Sequence, residues 1–439
     1  MFQVHSAKNG SRSETNLSPP VLLSMAHWYG TLAAVRELGR RGIDVHVAQS
    51  TLAGQAGWSR FAGHRLRSPD ERNVAKYLDW LLKLGRRSPG LALCATSDDL
   101  RFLYAEHDVE LRQSFLLETP NLGVLREVLD KKRLHEQAAR VGLSTPASVF
   151  PNNPSEAESL ADGLRYPLLI KQRMQVLSRT LSKGTALRGR SEIAAAYASF
   201  CSNNTFDPAV LTRWPDAGHP FLQEYLPANS GQIYCLAGFI APDGGGSACR
   251  AAMKVLSHPR HLGIGLLFEH ADVIPHLETR LLQLCKNVGY AGSFQCEFIV
   301  AGGEHLLIDF NPRFYNYMAF DHARGLPQAY LSYLHAIGDH TKLHNALVAA
   351  RTPPPEAANT IYCNRVGAWM QLRLERLFGR IPRADVAQWQ IWRKRAARVV
   401  DPIWEDDDRV PGFADLLMRF REMALRPRGF LRGNTRRPF

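Results

Sequence analysis

Apolar residues along this chain recur first at strand-like and helical spacings in strict turn, and the switches outline its elements. Val21–Met25 is a short continuous apolar run, followed by a turn of small residues from Ala26 to Gly30. Leu32, Val35 and Leu38 then recur at helical spacing, closed by Gly39 and Gly42, and a second apolar run, Ile43–Ala48, follows at once. Run, turn, helix, run is the β–turn–α–β order that opens a parallel sheet. Leu91–Ala95 makes a third buried strand. It ends in Thr96-Ser97-Asp98-Asp99, where strand C-termini in such sheets meet ligands. No GxGxxG follows a strand here, so a dinucleotide site is not supported.

The pattern changes near Asp130. Lys131 to Gly142 is predicted helical, with Leu134 and Ala138 on one face and Gly142 as its stop. Ala147–Phe150, Tyr166–Lys171, Phe221–Leu226, Gln232–Ile240, Phe294–Val300 and Leu306–Phe310 are predicted strands, with a helix from about Pro275 to Val288 among them. Gly244-Gly245-Gly246 marks a hairpin connection. Strands clustered around single helices suggest an α+β body after the α/β start. Thr352–Pro355 is a plausible linker, and the chain beyond it turns helical, rich in Arg and in Trp (Trp369, Trp389, Trp392, Trp404).

Composition narrows the class. A length of 439 residues, 45% of them hydrophobic, supports two or three domains with a buried core. No apolar run reaches the roughly 18 residues that cross a bilayer. Residues 1–20 are polar and lack a signal-peptide core, which predicts a disordered lead. The seven cysteines are dispersed, with no CxxC pair, as suits thiols in a reducing cytoplasm. The net charge of +13 is concentrated in the tail, where Arg419, Arg421, Arg426, Arg428, Arg432, Arg436 and Arg437 face only Asp415 and Glu422. The charge therefore says little about the chemistry of the body.

That chemistry is clearest in Gln295-Cys296-Glu297-Phe298 and Ile308-Asp309-Phe310-Asn311-Pro312-Arg313. Side chains on a strand recur every second residue, so Asp309, Asn311 and Arg313 share a face. A hairpin around Ala301-Gly302-Gly303 would bring Glu297 close to Asp309. Three oxygen ligands without His or Cys suit a hard cation such as Mg²⁺. Arg313, one step on, is placed to hold a phosphate or a transferring phosphoryl group. A salt-bridged hairpin edge is the plainer alternative.

With these residues the chain resembles the ATP-grasp superfamily of carboxylate–amine and carboxylate–thiol ligases and biotin-carboxylase-like enzymes. The family's metal signature is a Glu, about eleven residues, then Glu or Asp, any residue and Asn, often followed by Pro-Arg. Glu297, Asp309, Asn311, Pro312 and Arg313 match it in order. The resemblance extends from about residue 21 to 340. It implies that Lys131, opening a helix that leads to Gly-Leu-Ser-Thr-Pro, and Lys171, on a strand, bind nucleotide phosphates. It makes Gln223, Glu224 and Leu226 part of a hinge whose backbone meets the adenine, and puts Lys254 near the γ-phosphate.

Three departures accompany the match. The phosphate loop, Arg173 to Thr185, has only Gly184, with Ser178, Ser182 and Lys183 around it. Gln232 stands where a ribose-binding carboxylate is expected. Asp309 is shorter than the commoner Glu. The layout implied is a lead at 1–20, a Rossmann-like domain at 21–125, a two-lobed ATP-grasp domain at 126–340, and a linker with a basic helical extension at 341–439. The implied activity is C–N ligation with ATP and one or two Mg²⁺ ions (Mn²⁺ as substitute), in which a small carboxylate becomes an acyl phosphate and is passed to an amine. The alternatives are carboxyphosphate formation, with no biotin-bearing module evident, and a nucleotide-binding scaffold or membrane-associated regulator without turnover.

Other residues carry two readings each. Ser97, Asp98 and Asp99 either touch substrate or cap a helix. His258, Arg260 and His261 either form an anion-binding loop or a solvated one. The C-terminal region either docks helices on the body or lays its Arg-rich tail, with Phe430, Leu431 and Phe439, on an anionic membrane surface. No nucleic-acid motif is present, so nucleic acid is not expected as a partner. A homodimer is the common default.

Overall fold

The computed structural model describes residues 18–179, 184–203, 205–226, 232–258, 264–379, 381 and 383–425. The first sheet is wholly parallel, in the order β3-β2-β1-β4-β5, built from β1 (Val21–Leu23), β2 (Val45–Gln49), β3 (His64–Arg67), β4 (Leu91–Leu93) and β5 (Phe115–Leu117). Parallel strands need crossovers, here the helices Tyr29–Arg40, Val74–Arg87 and Asp98–Glu106. Val21, Leu22 and Leu23 are fully buried, which explains a continuous apolar run rather than an alternating one. The strands β3 and β5 escape a reading of periodicity. His64–Arg67 is an edge strand with a single apolar residue, Leu66, and Phe115–Leu117 is too short to show a period.

Three further sheets follow. β6 (Ser148–Val149), β7 (Leu168–Gln172), β9 (Thr185–Leu187) and β11 (Pro220–Glu224) form an antiparallel sheet ordered β6-β11-β7-β9. Helices Pro154–Ala161 and Ile193–Asn203 cover it, burying Ala157, Ile193, Tyr197 and Leu222 in one cluster. β8 (Ser178–Arg179) and β10 (Thr205–Phe206) make a two-stranded ribbon beside it. The large sheet has seven strands in the order β16-β15-β12-β13-β14-β17-β18: β12 (Ile233–Ile240), β13 (Ser247–His258), β14 (Ile264–Ala271), β15 (Gly292–Ala301), β16 (Glu304–Asn311), β17 (Thr360–Cys363) and β18 (Arg398–Val400). Helix Pro275–Val288 forms over the predicted span and buries Leu277, Leu281 and Leu284. The β15–β16 hairpin turns at Gly302 and Gly303, whose φ of 59° and 83° lie in the region open to glycine.

The region after residue 340 corrects the expectation of a linker with an appended helical extension. The proline-rich stretch runs into a short 3₁₀ turn, Pro355–Asn359, and then into β17, which pairs with β14 in the large sheet. β18 joins parallel to β17. All four residues of β17 are buried, so the strand has no alternation, and its apolar run is too brief to stand out beside Arg-rich neighbours. The helices Arg365–Leu377, Arg383–Arg395 and Val410–Leu425 do form as predicted.

The last of these helices docks on the first domain. Gln55 donates to the Asp415 carboxylate at 2.9 Å and Arg419 to the Tyr29 hydroxyl at 2.9 Å, while Phe413, Leu417 and Phe420 stay exposed. The tail with Phe430, Leu431 and Phe439 lies outside the described residues. No helix among the described residues is long and apolar enough to cross a membrane.

Candidate active site

A cleft of about 280 Å³ opens where β7 and β11 of the smaller sheet face β13, β15 and β16 of the large one. Its wall includes Lys131, Lys171, Gln223, Lys254, Glu297, Asp309, Asn311 and Arg313, eight of the residues singled out in the sequence. Each arrives from a different piece of local logic.

The pairing of β15 with β16 sets Glu297 directly across from Asp309 and Gln295 across from Asn311. A β-bulge follows immediately: Phe298 pairs with Leu307, leaving Ile308 without a partner. A bulge re-aims side chains, and here both Ile308 and Asp309 face the cleft while Leu307 enters the core. Asn311 is oriented by its amide, which donates to Gln295 at 2.7 Å and to the Asp309 carboxylate at 3.3 Å. This set is all oxygen, two half-buried carboxylates and a buried amide, at the base of the cleft. It fits Mg²⁺ by donor chemistry.

Four cations surround the two carboxylates. Lys131 starts the helix Lys131–Arg140, whose N-cap Asp130 accepts from Lys132 N–H at 2.9 Å and from the buried Arg173 at 2.7 Å. That cap fixes the first turn, and the Lys131 ammonium ion-pairs with Asp309. Lys254, on β13, donates to Glu297 at 2.7 Å. Lys171, on β7, donates to Gln223 on β11 at 2.7 Å. Arg313 donates to Asn311 at 2.8 Å, lies 3.1 Å from the Asp98 carboxylate, and stacks over Trp28 at 5.2 Å.

Protonation follows from these contacts. Burial, with Lys131 nearby, lowers the Lys171 ammonium to about 8. Burial is the largest influence on Lys254 and would lower it too, but Glu297, Cys235 and Asp309 together outweigh it and the net shift is upward. Burial would raise Asp309, yet the Lys131 ammonium and Arg313 hold it below the usual carboxylate range. With four cations against two carboxylates the wall is net positive, as a polyphosphate requires.

The first domain completes the rim. Arg101, buried and paired with Glu118 at 3.1 Å, donates to the Pro312 carbonyl at 2.7 Å and so holds the turn that carries Arg313. Gly30 lies against Tyr315: a Cβ there would sit 2.6 Å from the Tyr315 carbonyl oxygen. Ser97 caps helix Asp98–Glu106 by accepting from Leu100 N–H at 3.2 Å, whereas Asp98 faces Arg313. The capping reading therefore holds for Ser97, while Asp98 is paired with Arg313 at the rim of the cleft. Asp99 accepts from Leu177 N–H at 2.7 Å, and burial pushes it up to about 6.

Other expected residues stand apart. Glu224, Leu226 and Gln232 are not among the described residues lining the cleft. The Glu224 carboxylate is held by Arg165 at 2.9 Å. The N–H groups of Glu224 and Tyr225 donate to the carbonyls of Ala147 and Pro167, at 2.9 and 3.0 Å, and are unavailable to a base. The Gln232 carbonyl accepts from Val300 N–H at 2.8 Å. Lys183, Arg260 and His261 lie outside the described residues.

Sequence reasoning missed Trp28, Phe268, Tyr315 and Tyr317 as wall or rim residues. Two of them carried a signal: the alternation through Asp309, Asn311 and Arg313 continues to Tyr315 and Tyr317. It missed His135 too, which packs edge-on to Phe150 and Phe221 behind the wall, where burial lowers its imidazole to about 4 and keeps it neutral. All seven cysteines are free, and six are buried.

No family model matches the chain, and no curated protein sequence matches it. Solved structures do. Biotin carboxylase from Campylobacter jejuni superposes with a TM-score of 0.58 at 14% identity, over 73% of this chain and 72% of that one. N5-carboxyaminoimidazole ribonucleotide synthetase from Thermus thermophilus gives 0.52 at 16% identity, over 73% and 78%. L-amino acid ligase from Bacillus licheniformis gives 0.50 at 13% identity, over 79% and 77%. The chain has the fold of the ATP-grasp superfamily, to which these enzymes belong.

Proposed function

We propose that this protein is an ATP- and Mg²⁺-dependent ligase that activates a small carboxylate as an acyl phosphate and couples it to an amine, releasing ADP and phosphate. The observation that carries this reading is the pairing of Glu297 with Asp309 across one hairpin, each carboxylate already matched to a lysine, Lys254 and Lys131. Mg²⁺ held by Glu297, Asp309 and Asn311 would neutralise the triphosphate and align its γ-phosphoryl group. Lys131 and Lys254 would exchange their carboxylate partners for phosphate oxygens, and Lys171 would turn from Gln223 to the same chain of phosphates. Arg313, fixed by Asn311, Asp98 and Trp28, would stabilise charge on the transferring group.

An oxygen of the substrate carboxylate attacks the γ-phosphorus and ADP leaves. The amine nitrogen then attacks the acyl carbon, phosphate leaves, and the amine gives up a proton. This sequence needs no protein nucleophile, so catalysis rests on positioning and charge. A second reading, carboxyphosphate formation with bicarbonate as the acid, is favoured by the similarity to the biotin carboxylase domain of Hydrogenobacter thermophilus 2-oxoglutarate carboxylase, solved with MgADP and bicarbonate.

Nucleotide binding is tested through Lys171. Bound phosphate favours the charged ammonium, so its pKa rises on binding and ATP affinity is greatest below the ligand-free value of about 8. As pH rises through 8, Mg·ATP affinity should weaken by up to about tenfold per pH unit, with proton uptake on binding. Calorimetry in buffers of different ionisation enthalpy measures both. Uptake that persists unchanged in Lys171→Met would remove Lys171 from the nucleotide site.

A further inference from the structure

The far edge of the first sheet carries a second constellation, separate from the cleft. Asp44, His46 and His64 present one ligand atom each, all within 4.8 Å of one another. Strand geometry dictates this meeting. His46 on β2 and His64 on β3 are direct partners in the parallel pairing, so their side chains share a face. Asp44 precedes His46 by two residues and falls on that face as well. The Asp44 carbonyl accepts from Val21 N–H at 2.9 Å, which anchors the residue to β1.

Two distances make the cluster more than a polar edge. His46 Nε2 lies 3.1 Å and His64 Nε2 3.5 Å from the same Asp44 oxygen, Oδ2. An ordinary His–Asp pair needs one imidazole; here two converge on one oxygen. With metal–nitrogen bonds of about 2.0–2.1 Å, neighbouring ligand atoms on a tetrahedron stand about 3.3 Å apart, a value the two distances bracket. The carboxylate also has a seat. A Cβ at Gly63 would lie 2.2 Å from Asp44 Oδ1, so glycine at 63 leaves the space that this oxygen occupies. Side-chain exposures of 48%, 16% and 58% for Asp44, His46 and His64 leave the group open to solvent.

We propose that Asp44, His46 and His64 bind one Zn²⁺-like transition-metal ion that clips the edge strand β3 to β2. Two imidazoles and one carboxylate select Zn²⁺ and its borderline-soft neighbours, whereas the all-oxygen set in the cleft selects Mg²⁺. Three protein ligands leave further coordination to water. Binding to the folded chain alone should raise its thermal midpoint with metal concentration.

The test uses chelator-stripped full-length protein titrated with Zn²⁺, then Co²⁺, in excess Mg²⁺ to occupy the cleft carboxylates. The wild type should bind one equivalent that His64→Ala weakens by about 100-fold or more, since even outer-shell partners alter metal affinity 10–100-fold. Bound Co²⁺ should show visible d–d bands without thiolate charge-transfer bands. Equal midpoints for wild type and His64→Ala in chelator would show an intact fold, and Asp44→Asn supplies a second variant if they differ. Unchanged affinity in both variants, thiolate bands from the free cysteines, or no binding at tens of micromolar Zn²⁺ would each overturn the site.

Discussion

Asp309→Asn is expected to lower substrate-dependent ADP release on the order of 10³-fold, the scale on which preorganised charge contributes to such chemistry. The substitution keeps the shape of the side chain and removes its charge. Asp309 stands at the one point where the hairpin, the Lys131 helix and the Arg313 turn meet, in contact with Lys131 and accepting from Asn311. Neutralising it deprives the proposed Mg²⁺ of a carboxylate and leaves Lys131 beside Lys171 with less to offset their repulsion. Added Mg²⁺ should restore part of the rate, and the thermal midpoint should move little because the side chain is only half-buried. Initial rates against Mg²⁺ concentration check this. A rate within about threefold of wild type would remove Asp309 from the machinery.

Arg36→Met is expected to cost stability rather than chemistry, by about 3–5 kcal/mol. Arg36 is buried in helix Tyr29–Arg40 and donates to the fully buried Asp408 carboxylate at 2.8 Å. It also donates to the carbonyls of Pro402, Ile403 and Asp408 at 3.1, 2.8 and 3.0 Å. Methionine fills similar space and donates nothing, so two carboxylates, Asp408 and Glu405 (3.2 Å), and three carbonyls lose a partner at once. Asp408 would keep only Ser59 and the Arg60 N–H, at 2.7 and 2.9 Å. Denaturant unfolding measures the loss, and proteolysis should cut within residues 401–425 before the body opens. Adding Asp408→Leu should recover part of the loss, as burying neither charge is cheaper than burying one. A change below about 1 kcal/mol would mean that this anchor is not what holds the C-terminal segment.

The two substitutions bracket what was legible in the sequence. The hairpin that positions Glu297 against Asp309 is local: two strands, two glycines and a period of two, and its pairing follows the alternation up to the bulge. The bulge at Ile308 was invisible because one inserted residue changes facing without changing composition. Lys131, Lys171 and Lys254 were found through the order of motifs in the family resemblance, the first at a helix start and the other two on strands. The Arg36–Asp408 anchor joins residues 372 positions apart, and nothing local marks an arginine in an amphipathic helix as buried. The strands β17 and β18 were missed for the same reason, because their sheet partners are set by tertiary pairing rather than by their own pattern. His135 illustrates the limit from the other side. Its neutrality comes from burial beside Phe150 and Phe221, with smaller contributions from Lys131, one turn earlier on its own helix, and from Lys171, brought in on another strand.

ADP release from Mg·ATP, measured across a panel of amino acids, small carboxylic acids and bicarbonate with and without amines, tests the central claim most directly. Release that requires a particular acid, with an ¹⁸O label in its carboxylate appearing in the liberated phosphate only when the amine is present, is the predicted result. Glu297→Gln should abolish it. Mg·ATP bound in the cleft without stimulated release by any acid, or release whose phosphate never carries the label, would contradict a ligase that works through an acyl phosphate.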